Sequence, residues 1–158
     1  MNAGPMNRLR PVALTLALAL ALTGCGGGSS DLPVLPEDAV QTQVEQYAGI
    51  TLAASGAGTF SESAANVTGC PRDNGRGLSD PDDEYYVQGI YRMPVTADRQ
   101  AATLDKIRDE WQRNGYTLAS AASSTEVSAT TNDHYRFDLT ADQDLRLSIA
   151  SPCYRPRS

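Results

Sequence analysis

The sequence predicts an α+β domain in which two helices pack on one face of an antiparallel sheet of about five strands. Three observations predict it. Glu37 to about Ala54 and Thr96 to about Asn114 carry apolar residues at spacings of three and four, the period of a helix with one buried stripe. Glu84 to Val95, between them, alternates with period two and is rich in Tyr, Val and Ile, good strand formers. Tyr116 to Ala150 is a succession of short alternating runs broken by turn residues, which reads as a meander. The order is helix, strand, helix, then four strands.

The first helix has Pro36 at a position suited to a helix start, with Glu37 and Asp38 at the positive end of the dipole. Val40, Val44, Tyr47 and Thr51 make its stripe, and Gly56 and Gly58 end it. Thr59 to Asp83 is full of turn chemistry: Cys70-Pro71, Asn74-Gly75, Gly77 and Asp80-Pro81. A short strand at Thr59-Phe60 is the only element expected there. About 25 residues without an element is long for a compact domain, and such loops are functional or mobile.

The strand at Glu84 to Val95 sets Tyr85, Val87, Gly89, Tyr91 and Met93 on one face and Tyr86, Gln88, Ile90 and Arg92 on the other. Both faces are expected to be at least partly covered, and Pro94 ends the pairing. Thr96 then caps the second helix through its hydroxyl, with Asp98 in the first turn. Ala101, Leu104, Ile107 and Trp111 form the stripe, with Trp111 as a core anchor. Asp109 and Arg113 stand as an i,i+4 pair, and Asn114-Gly115 stops the helix with Gly115 left-handed.

The meander follows. Tyr116 to Ala121 is a strand, and Thr125 to Thr131 sets Val127 and Ala129 against polar neighbours. Asn132-Asp133 suits a two-residue hairpin turn with positive φ. His134 to Thr140 puts Tyr135, Phe137 and Leu139 inside, and after a turn at Ala141 to Asp144 so do Leu145, Leu147 and Ile149. The alternation marks a sheet with one solvated face.

The residues before this domain have an organisation of their own. Met1 to Arg10 carries Arg8 and Arg10 and no acid, Pro11 to Leu22 is an uncharged run, and the small residues Thr23 and Gly24 follow. This is the build of an export signal. The run has 12 residues, too short for the ~20 that a spanning helix needs. Leu22-Thr23-Gly24-Cys25 closes it and resembles the lipobox of bacterial lipoproteins in all four positions. The resemblance implies a diacylglycerol on the Cys25 thiol, removal of residues 1–24, and acylation of the new amino terminus. Two acyl chains anchor firmly where one binds reversibly. Gly26 to Leu35, GGGSSDLPVL, is then a flexible spacer. Residues 25–36 are expected to be tether, 37–154 the domain and 155–158 a short basic tail.

Cysteine number and charge agree with an extracytoplasmic location at the cell membrane. Of three cysteines, Cys25 is assigned to lipid, and in an oxidising compartment Cys70 and Cys153 are expected to pair. The formal charge is −6; removing Arg8 and Arg10 makes it −8. An acidic surface argues against a nucleic-acid partner, since phosphate binding needs clustered Lys and Arg. It also argues against lying flat on anionic lipid, leaving the lipid on Cys25 as the membrane contact.

Catalytic and metal chemistry have little support. The one histidine, His134, stands beside a turn, and no G-x-S-x-G or phosphate-loop motif occurs outside the tether. One histidine and two paired cysteines leave too few ligands for zinc. The acidic run Asp80, Asp82, Asp83, Glu84 lacks the EF-hand glycine and reads as a solvated loop. No cofactor is expected. The seven tyrosines suit either core rims or a sheet face that stacks on a sugar or a protein.

Trp111, Gly115, Tyr116 and the terminal Ser151-Pro152-Cys153, following a lipobox, resemble small actinobacterial lipoproteins of unknown function. That resemblance implies no activity. The expectation is a non-enzymatic envelope lipoprotein whose sheet or Cys70 loop contacts a protein or polymer. The alternative is a module holding a small or lipidic ligand between helices and sheet.

Overall fold

The computed structural model describes residues 31–72, 75–120 and 123–157. The export signal, the lipobox Leu22 to Cys25, the glycine run, Asn74 and Ala121 lie outside the described residues. The elements are α1 (Glu37–Ser55), β1 (Glu62–Gly69), β2 (Tyr85–Met93), α2 (Ala97–Arg113), β3 (Thr117–Leu118), β4 (Glu126–Thr130), β5 (Arg136–Ala141) and β6 (Leu145–Ala150). The strands form one antiparallel sheet in the order β1-β2-β6-β5-β4-β3. The fold is thus α+β with six strands; β1 is the strand the sequence did not announce. It falls in the stretch read as irregular, in place of the expected strand at Thr59-Phe60.

Both helices cover one face. α1 lies over β1, β2 and β6, and α2 lies beside it over β3, β4 and β5. From α1, Val40, Val44, Ala48 and Thr51 are buried. From α2 the buried set is Gln100, Thr103, Leu104, Ile107 and Trp111, whereas Ala101 is exposed. The stripe on α2 is therefore rotated from the expected one by one polar position. Gln100 explains it. Its amide donates to the carbonyls of Val95 (3.2 Å) and Asp142 (3.1 Å), tying the helix start to the β5–β6 turn, and a buried amide with partners is tolerated.

Three local expectations are corrected. Thr96 makes no side-chain cap; its carbonyl accepts from Arg99 N–H at 2.8 Å. Arg113 pairs with Glu110 at 2.8 Å rather than with Asp109. The positive φ in the β4–β5 connection belongs to His134, at 68°, and not to Asn132 or Asp133. Thr131 N–H donates to the Tyr135 carbonyl and His134 N–H to the Thr131 carbonyl, each at 3.0 Å. This is a three-residue loop whose last residue is left-handed, the commonest alternative to a two-residue turn. Helix stops at Gly56 (φ 69°) and Gly115 (φ 78°) are as the sequence indicates.

β2 lies between β1 and β6. It alternates buried and half-buried residues along its whole length, so both faces are partly covered. Gly89 lies under the Tyr91 ring: a Cβ there would stand 2.6 Å from both Tyr91 Cε2 and Val44 Cγ1. Past β6 the chain pairs Tyr154 with Tyr85 through two bonds of 2.8 and 2.9 Å. Arg155 N–H donates to Pro33 carbonyl at 2.9 Å and its carbonyl accepts from Leu35 N–H at 3.1 Å. The end of the segment read as tether and the start of the tail thus form a short parallel bridge, Val34 to Arg155.

Candidate functional site

A disulfide joins Cys70 to Cys153, with Cα atoms 6.0 Å apart across a sequence separation of 83. Cys70 directly follows β1 and Cys153 stands three residues past the end of β6, while β2 runs between the two strands. The bond therefore clamps three strands at one end of the sheet. Beyond Cys70 the chain makes a narrow loop, with Ser79 N–H on the Cys70 carbonyl at 2.8 Å and a bridge between Pro71 and Leu78. The acidic run closes this loop as a turn: Asp80 accepts from Asp82 N–H at 3.0 Å, and its carbonyl accepts from Asp83 and Glu84.

This clamp forms one wall of a groove on the face that the helices leave open. The register places Gln88, Ala150, Arg136, Thr130 and Thr117 in one row across five strands. The next row holds Ile90, Ser148, Asp138 and Ser128. Two grooves, of about 250 and 300 Å³, lie over these rows and share Arg136 and Asp138. The first reaches Pro71, Tyr86 and Cys153; the second reaches Thr117, Leu118 and Ala119.

Arg136 is exposed, and its guanidinium is in none of the ion pairs or side-chain hydrogen bonds among the described residues. Asp138 accepts from Ser128 Oγ at 2.6 Å, which fixes the carboxylate over the sheet. The floor thus offers a planar fork of donors beside an oriented acceptor, flanked by the amide of Gln88. Such a floor can both donate hydrogen bonds to, and accept them from, a polar group lying across the strands. Sequence alternation places Arg136 and Asp138 on the solvated face. Their meeting with Gln88 and Cys153 depends on strand order, which no local signal encodes.

The tyrosines do not form an exposed patch. Tyr85, Tyr91, Tyr135 and Tyr154 are buried, and Tyr47 and Tyr116 stack with Phe137 under the helices at 5.4 and 5.2 Å. Tyr86 alone belongs to the open-face groove. Tyr47 Oη donates to the Asp133 carboxylate at 2.9 Å, pinning the β4–β5 loop to α1. Burial, and for Tyr47 also the neighbouring Asp133, push the phenols of Tyr47, Tyr85 and Tyr91 up to about 12. Burial also raises Tyr116 and Tyr135.

Each of these five groups has a folded pKa above its unfolded value of ~10. Their contribution to stability is fully present below about pH 10 and is lost as pH rises through the folded values, about 12 for Tyr47, Tyr85 and Tyr91. Spectrophotometric titration at 295 nm tests this. At about pH 11 the folded protein is expected to show less than half the phenolate absorbance of the denatured chain, and the remainder is expected to appear with loss of the fold. A folded protein showing the denatured chain's absorbance at that pH would contradict the buried placement.

Among the described residues no group of three His, Cys, Asp or Glu is arranged to hold a metal ion, and no helix is long and apolar enough to cross a membrane. His134 is exposed on its loop, two residues before Arg136, and lines neither groove.

No family model matches the chain, and no curated protein matches it. A solved structure with a similar arrangement is that of the candidate lipoprotein LppA from Mycobacterium tuberculosis. It is 15% identical, with a TM-score of 0.45, over 76% of this chain and 78% of that one. At that identity and overlap it assigns this chain neither family nor activity.

Proposed function

We propose that this protein is a lipid-anchored, extracytoplasmic lipoprotein that acts by binding a protein or polymer of the cell envelope, without catalysing a reaction. The lipid would sit on Cys25, with Gly26 onward as spacer. The observation that carries the binding part is the open-face groove, floored by Arg136 and Asp138 and walled by the Cys70–Cys153 clamp. The disulfide fits an oxidising compartment. The runner-up, a small or lipidic ligand between helices and sheet, has less support. Trp111, Phe137, Met93, Leu104 and Ile107 fill that space, each no more than 1% exposed.

Two measurements test the proposal. Cys25→Ala is expected to move the protein from the membrane fraction to the soluble extracytoplasmic fraction and to abolish incorporation of labelled fatty acid. Retained labelling would sink the anchor. A photo-crosslinking residue at Arg136 is expected to capture an envelope component, and the same residue at exposed Arg99 on α2 is not. Equal capture at both positions would remove the groove from the proposal.

A further inference from the structure

The two edges of the sheet are unlike. β3 closes one edge with two residues, and β1 forms the other with eight. Natural edges are blunted by shortness, charge, proline or bulges. β3 is short. β1 uses almost none of these devices: its pairing with β2 runs unbroken from Glu62 to Gly69, it has no proline, and Glu62 is its one charge.

The direction of its backbone groups follows from the bonds around it. Cys70 N–H donates to the Glu84 carbonyl at 3.2 Å in the register of the β1–β2 pair. On β2, Tyr85 and Val87 turn their groups the other way, toward Tyr154 and Ser151. Even-numbered residues of β1 therefore bond to β2, and Ser63, Ala65 and Val67 direct N–H and C=O outward. None of these outward groups has a partner among the described residues.

A groove of about 220 Å³ opens at the middle of this edge, on the helix side, between Ala65, Phe60, Tyr91 and Glu45. The Phe60 and Tyr91 rings lie 4.8 Å apart and make an aromatic wall. Tyr91 is 3% exposed and its hydroxyl has no partner among the described residues. Glu45, on α1, presents an exposed carboxylate at the rim.

We propose that the β1 edge is a strand-addition site for an extended segment of a partner protein, and that the groove takes a lysine or arginine side chain of that segment. In strand addition the main chain supplies affinity and pockets for alternate side chains supply specificity. A residue placed opposite Ala65 points to the helix side, where the groove is. Its aliphatic stem would lie along Phe60 and Tyr91, and its cation would meet Glu45. Charge also decides against a second copy as the occupant. Two β1 strands paired about Ala65 would bring both Glu45 carboxylates to the same side of the joint sheet. The surface is separate from the Arg136 groove and does not depend on it.

The test uses the purified protein and fluorescein-labelled nonapeptides of alternating Thr and Val with a central Arg or a central Glu. The Arg peptide is expected to bind about tenfold or more tightly than the Glu peptide, and Glu45→Gln to remove most of that difference. Ala65→Pro deletes only an outward N–H, a place where an edge strand accepts proline, and is expected to abolish binding of both peptides. If Ala65→Pro does not fold, an Arg peptide N-methylated at alternate residues serves instead and is expected not to bind. Arg136→Ala is expected to leave binding unchanged. No binding to the wild type, equal binding of the two peptides, or binding that survives both Ala65→Pro and N-methylation would overturn the proposal. So would a dimer in sedimentation that the Arg peptide does not displace, which would make a second copy the occupant.

Discussion

Trp111→Ala is expected to lower the stability of the fold by about 3–5 kcal/mol, the range for removing a fully buried large aromatic. Trp111 is 0% exposed and lies where α1, α2 and the sheet meet. Its ring meets Phe137 edge-on at 5.3 Å. The indole Nε1–H donates to Thr51 Oγ1 of α1 at 3.0 Å, and that hydroxyl donates to the Tyr47 carbonyl at 3.2 Å. The residue therefore contributes packing and, among the described residues, the one side-chain hydrogen bond between the two helices. Thr51→Val separates the two parts. It keeps the volume and strands a buried indole N–H, for about 1–3 kcal/mol. Denaturant unfolding measures both variants. Trp111→Ala within about 1 kcal/mol of wild type would contradict the packing described.

Replacing both Cys70 and Cys153 by Ser is expected to destabilise by about 4–5 kcal/mol on the chain-entropy treatment of an 83-residue separation. The melting midpoint is expected to fall by about 10–20 °C. The pair closes the chain around everything from β2 to β6, and Cys70 is itself only 2% exposed. Reductant is expected to reproduce the double substitution. A midpoint unchanged by reductant would mean that the bond adds nothing to the fold. A further consequence follows from position: the bond fixes the wall of the open-face groove, so the reduced protein is expected to lose crosslinking at Arg136 before it unfolds.

The elements that were legible are those with a full local signal. β2 and the β4–β5–β6 meander announce themselves by period because each buries one face under the helices, and α2 does so because it buries one face against the sheet and α1. Leu145, Leu147 and Ile149, alternating with Arg146 and Ser148, could hardly be placed otherwise. The missing strand, β1, has the sequence ESAANVTG. Its helix-side positions are Ser63, Ala65 and Val67, too small and polar to mark a face, and Ala, Asn and Gly disfavour strands. It is held by pairing with β2 and by the clamp at Cys70, both long-range. The one hint was length, since about 25 structureless residues are uncommon in a compact domain. The Ala101 and Asp109 expectations failed for a related reason. Helical spacing fixes which residues share a face, and a partner as specific as the β5–β6 turn for Gln100 decides which face turns inward.

The sequence by itself determined the α+β class, the two helices, and Cys70 and Cys153 as a pair; the export signal and the lipidation of Cys25 belong to the proposal. The class and the helices are written in residues close together in the chain, where period, charge and turn chemistry act, and the pair followed from the cysteine count. Only the tertiary structure decided that β1 exists, that β2 lies between it and β6, and that Arg136 and Asp138 stand in one groove with Gln88 beside the clamp. It alone left the outward backbone groups of Ser63, Ala65 and Val67 without partners among the described residues, at an edge of the sheet. Strand order and edge exposure come from contacts between residues far apart in the chain, and no local preference encodes which strand will lie beside which.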